Sequence, residues 1–146
     1  MSWHIRSFLH FWSAFLIVVA LVSTVGSQSV RIQGGGVIRT VGLEAFLDAD
    51  LTMKATAIDW GLMSPGGSSN VTLYLKSSST IPAEIMFSTE NWEPSAAQPF
   101  FNLTWNYKNQ LLSPNQVIPV IFTLRVSENV TGVTTFTFDL IITIYG

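Results

Sequence analysis

The sequence predicts an all-β sandwich, and three observations predict it. Apolar and polar residues alternate with period two in one segment after another, the pattern of strands with one buried and one solvated face. Turns rich in Gly, Pro, Asn and Ser separate those segments at intervals of roughly 8–12 residues. No helical periodicity longer than two turns lies between them. Strands without crossover helices bury their apolar faces by packing sheet on sheet.

Composition agrees. The chain has 146 residues, enough for one domain after any targeting segment. Hydrophobic residues make up 48% and charged residues 11%, so the chain has ample apolar surface to pay for ordering and is not of the disordered class. The net charge is −2, which gives no electrostatic pull toward nucleic acid. Cysteine is absent. The fold is therefore held by its core and not by disulfides.

Residues 1–27 read as an export signal. Arg6 gives a weakly basic start, residues 8–22 (FLHFWSAFLIVVALV) form the apolar run, and Ser23-Thr24-Val25-Gly26-Ser27 offers small residues for cleavage after Gly26 or Ser27. The alternative is an uncleaved membrane anchor over residues 8–25, at the lower edge of spanning length. The sandwich domain is expected over 28–146.

The strands then follow in order. Residues 29–33 form a short strand with Val30 and Ile32 on one face, and Gly34-Gly35-Gly36 breaks it or acts as a flexible hinge. Residues 37–47 continue with Val41, Leu43, Ala45 and Leu47 inward, and Asp48-Ala49-Asp50 turns the chain. The clearest signal is residues 58–76, IDWGLMSPGGSSNVTLYLK. Ile58 and Trp60 end one strand, Ser64-Pro65-Gly66-Gly67 turns, and Val71, Leu73 and Leu75 alternate with Asn70, Thr72, Tyr74 and Lys76. Ile81, Ala83, Ile85 and Phe87 are the next inner face, with Pro82 indicating an edge or first position. Residues 90–99 (ENWEPSAAQP) are the longest irregular stretch. Phe101, Leu103, Trp105 and Tyr107 point inward next, then Ile118, Val120, Phe122, Leu124 and Val126, and finally Phe136, Phe138, Leu140, Ile142 and Ile144.

These residues carry a resemblance. The run IDWG…SPGGSSNVTLYLKSSSTIPAEIMFSTENWEP, followed by FNLTWNY and by VIPVIFTLRV after a proline-containing turn, resembles a group of small secreted archaeal proteins with an immunoglobulin-like sandwich. The resemblance covers residues from about 42 to 146. It implies an immunoglobulin-like antiparallel sandwich and export, and no activity. Some exported archaeal sandwich proteins polymerise by donating an N-terminal strand, an analogy of architecture.

Candidate chemistry is sparse. Both histidines, His4 and His10, fall in the export signal, so the mature chain has neither imidazole nor thiolate for zinc, copper or iron–sulfur ligation. No metal or other cofactor is expected. Asp48-Ala49-Asp50 offers oxygens to calcium, although two aspartates also simply favour a turn. Nucleophilic catalysis lacks a base, and G-x-S-x-G is absent. Glu90 and Glu93, flanking Trp92, are the one carboxylate pair suggestive of glycoside chemistry. The expectation is no enzyme. Trp92 is a candidate aromatic platform for carbohydrate, against the alternative that it closes one end of the core. Asn70-Val71-Thr72, Asn102-Leu103-Thr104 and Asn129-Val130-Thr131 are N-glycosylation sequons, the first two on outward strand phases and the third in a turn. Val30 and Ile32 form a strand able to pair with its own sheet or with a neighbouring subunit.

The expected function is a non-catalytic, exported structural or interaction module at the cell surface. Its partners are other surface proteins or copies of itself, with no nucleic acid, and with membrane contact only through residues 8–25 if these stay uncut. The alternatives are a filament subunit joined by donor-strand exchange and a carbohydrate-binding module.

Overall fold

The computed structural model describes residues 30–146. The expectations for residues 1–27, with His4 and His10, lie outside them. The described elements are β1 (Ile32–Val41), β2 (Leu43–Phe46), β3 (Ala57–Met63), β4 (Ser68–Ser77), β5 (Glu84–Glu93), a 3-10 segment (Ser95–Phe100), β6 (Phe101–Trp105), β7 (Val117–Val126) and β8 (Thr135–Tyr145). They form two four-stranded sheets, one ordered β3-β1-β8-β5 and the other β2-β4-β7-β6. The sandwich read from the sequence is the observed architecture.

The core lies between the sheets, built by the period-two faces. Leu73 and Leu75 of β4, Phe122 and Leu124 of β7, and Leu140 and Ile142 of β8 are wholly buried. Burying each such side chain stabilises the fold by roughly 1.5–3 kcal/mol before entropy is counted. Aromatic rings fill the middle: Trp92 stacks on Phe138 with centroids 4.2 Å apart, and Phe138 also faces Trp60. Tyr107 ties a loop to this core. Its hydroxyl donates to the Gln110 carbonyl and accepts from the Ile85 amide.

One pairing is unusual for a sandwich built of antiparallel neighbours. The first strand, β1, runs parallel to the last, β8, from Gln33 opposite Thr135 to Val41 opposite Thr143. Its other edge pairs antiparallel with β3. β8 therefore lies between β1 and β5, in the sheet opposite β7.

The structure corrects four expectations. Gly34-Gly35-Gly36 is neither a break nor a hinge: all three residues lie inside β1, hydrogen-bonded on both sides. Side chains are missing there because neighbouring strands occupy their space: on β8 the Phe136 ring lies over Gly34 and the Phe138 carbonyl against Gly36, and on β3 the Ile58 carbonyl faces Gly35. Val41 and Leu47 are exposed instead of inward. The strand does not run through residues 37–47. It turns at Gly42, at φ 73°, and passes from one sheet to the other, which resets the phase. Ile81 precedes β5 and is exposed. Residues 90–93 are not loop but the end of β5, where a bulge between Glu90 and Glu93 carries Asn91 at φ 51°.

The Ser64-Pro65-Gly66-Gly67 turn is closed by Gly67 N–H donating to the Ser64 carbonyl at 2.8 Å. It does not make a hairpin. It carries the chain from β3 in one sheet to β4 in the other.

Candidate functional site

The two ends of the sandwich differ in chemistry. At one end lie the Ser64–Gly67 turn, the start of β4, the start of β6 and the connection from β7 to β8. The three sequon asparagines meet here. Across the outer face of one sheet, Asn70 of β4 is level with Thr123 of β7 and Thr104 of β6. One step toward the end, Ser68 is level with Arg125 and Asn102. Asn129 occupies the turn just beyond β7, its N–H donating to Ser127 Oγ. Asn70, Asn102 and Asn129 are all exposed.

Part of the opposite end is apolar, beside polar loops at residues 78–80 and 108–110. A cavity of about 320 Å³ there is lined by Pro82, Glu84, Leu111, Tyr145 and Gly146. Leu111 is 60% exposed and Ile81 57%. Val41 and Met86 flank Thr143 in one cross-strand row, next to the row of Tyr145 and Glu84, and both are exposed. The Tyr145 hydroxyl donates to Glu84 Oε2 at 3.0 Å. That hydrogen bond to an acidic partner, with some desolvation, raises the phenol above its ordinary value. This part of the end thus offers apolar contact area, and the hydrogen bond to Glu84 fixes the Tyr145 ring.

The other candidates are placed elsewhere. Asp48 does not hold free oxygens for calcium. Its carboxylate accepts the Thr52 hydroxyl at 2.6 Å and the amides of Thr52 and Met53 at 3.0 and 2.7 Å. These bonds, the Thr52 hydroxyl first, lower its pKa and close the turn. Among the described residues no group of three or more His, Cys, Asp or Glu is placed to hold a metal ion. Glu90 and Glu93 are exposed on β5, with the Trp92 side chain turned inward between them. Trp92 is not a surface platform: it is 8% exposed, its ring packed on Phe138, Phe136 and Phe101 and its indole N–H donating to Thr89 Oγ1. A sugar ring has no open indole face to stack upon. Val30 lies before β1 and is exposed, whereas Ile32 is wholly buried opposite Met63. The two residues do not share a strand face.

Sequence reasoning missed one polar cluster. Asp139 is buried on the outward side of β8, where Arg39 Nη2 approaches Oδ2 at 2.9 Å and Asn91 Nδ2 donates to the same oxygen at 2.8 Å. Its three members come from three adjacent strands, so no local motif announces it. A charged residue in the middle of the apolar run TFTFDLIITIY was the available signal.

Among the described residues no helix is long and apolar enough to cross a membrane. No protein-family model matches the chain, and a search of curated proteins finds no match either.

Proposed function

We propose that the protein is an exported, non-catalytic structural module of the cell surface that associates with further copies of itself through its apolar end. The observation that carries this reading is the grouping of exposed apolar residues at this end: Leu111 and Tyr145 line the cavity, Ile81 lies beside Gly146, and Val41 and Met86 stand in the adjoining cross-strand row. Scattered apolar residues are ordinary on a surface, but a contiguous apolar patch marks a contact site. The partner we propose is a second copy, apolar end against apolar end, because one patch related by a two-fold axis meets itself and leaves the Ser64–Gly67 end free. Export rests on the sequence of residues 1–27. The immunoglobulin-like assignment and the resemblance to small secreted archaeal sandwich proteins belong to this proposal. The connectivity differs from the ABED/CFG order, in which the last two strands are neighbours. Here β8 lies beside β1 and β5.

Sedimentation velocity over a concentration series, on the chain isolated from cells that produce it, tests the reading. Self-association that Leu111→Lys abolishes is expected. A monomer at every concentration sinks it.

A second reading, assembly by exchange of β1, is favoured by one feature. A single residue, Gly42, links β1 to β2 in the other sheet, so opening there frees the whole first strand. The absence of cysteine makes the test clean. Gln33 and Thr135 are exposed register partners on β1 and β8. In a Gln33→Cys, Thr135→Cys chain, exchange gives a disulfide-linked ladder on a non-reducing gel. Cross-linking confined to the monomer rejects exchange.

A further inference from the structure

We propose that Asn70, Asn102 and Asn129 carry N-linked glycans that together sheathe one end of the sandwich and its open strand edges. This stands whether or not the apolar end associates. Three sequons far apart in sequence converge in the fold. Asn70 and Asn102 lie on the same outer sheet face, two strands and one two-residue step apart, about 12 Å from standard strand spacings. Asn129 is in the turn that leaves the strand between them. In every sequon both the asparagine and the threonine two residues on are exposed. In the strand sequons, that spacing sets amide and hydroxyl on one face.

A second observation concerns what the glycans would cover. Among the described residues, β2 pairs only with the Tyr74–Ser77 part of β4, so the Asn70 part of β4 has no strand neighbour on that side. Among the same residues β6, which carries Asn102, is an edge strand for its whole length. Two unpaired stretches of backbone therefore flank β7 at this end, and each bears a sequon. Unpaired edges template strand-to-strand aggregation unless something blunts them. A glycan is bulky and solubilising.

The donor class is a lipid-phosphate-linked oligosaccharide. The Asn Nδ2 forms a bond to the sugar's anomeric carbon, the bond from that carbon to the phosphate oxygen breaks, the lipid phosphate leaves with the bonding pair, and the amide nitrogen gives up one proton. No oxidant or reductant is involved.

Glycopeptide mass spectrometry on the chain isolated from its native cells tests the proposal. The expected result is a saccharide mass on the peptides containing Asn70, Asn102 and Asn129. Thr72→Ala and Thr104→Ala each erase the mass at their own asparagine, and Thr→Ser at the same positions retains it. An unmodified peptide across any one of the three asparagines overturns the proposal. The readout is made on peptides, so it holds even if a variant folds poorly.

Discussion

The ring of Phe136 lies where a side chain at Gly34 would be, so the two residues, opposite each other in β8 and β1, share one side-chain volume. Phe136 cannot yield easily, because it is 1% exposed and packs against Phe101 and Trp92. Gly34→Ala is therefore an overpacking substitution and lowers stability by about 1–3 kcal/mol. Urea denaturation reads the loss, and Phe136→Leu in the same chain recovers part of it. An unchanged midpoint for Gly34→Ala would show that the ring is free to move.

Trp92 is a core residue, and its removal leaves a large hole beside Phe138. Trp92→Ala costs about 3–5 kcal/mol, while Trp92→Phe keeps most of the ring contact and costs less. Thermal unfolding of both variants checks the order. Equal stability of Trp92→Ala and the parent chain contradicts the burial.

Asn91 performs two tasks at the β5 bulge: it adopts positive φ, and it donates to Asp139. The two can be separated. Asn91→Gly keeps the conformation and loses the hydrogen bond, whereas Asn91→Ala loses both. We expect Asn91→Ala to destabilise by about 1–2 kcal/mol and Asn91→Gly by less. Chemical denaturation that ranks Gly below Ala would remove the conformational half of the argument.

Asp48 has a pKa lowered by the Thr52 hydroxyl and the Met53 and Thr52 amides. A carboxylate whose folded pKa is depressed adds stability above its unfolded value and loses it as pH falls through the folded one. Asp48→Asn should therefore differ most from the parent chain near neutral pH. The two stability curves should converge as the solution becomes more acid than the ordinary carboxylate range. A gap that stays constant with pH would assign the effect to something other than the ionised form.

Much of the sandwich was legible because β4, β7 and β8 alternate cleanly, and alternation is local. Leu73, Phe122 and Leu140 point inward, each at the phase expected from its neighbours. The errors came from long-range facts. Whether Gly34 is a hinge or a recess depends on Phe136, a residue near the other end of the chain. Val41 and Leu47 looked inward on a strand read as continuous, but Gly42 moves the chain to the other sheet. Trp92 sat among Glu, Asn and Pro and read as loop, yet a bulge lets the strand persist and swings the indole into the core. The sequons were visible as triplets. Their convergence was not, since it depends on which strands lie beside β7.

The parallel pairing of β1 with β8 also sets a timetable. Synthesis runs from the N-terminus, so residues 33–41 of β1 emerge early, while their neighbours on β8, residues 135–143, emerge only after the seven preceding strands. The sheet β2-β4-β7-β6 is complete in sequence once Val126 has appeared. The other sheet lacks β8, which joins the β3-β1 pair to β5, until residues 135–145 arrive, so the β1–β8 contacts are of high contact order and form slowly. A chain truncated before Thr135 would keep β5 without its partner and one edge of β1 bare, in the state most open to proteases and chaperones.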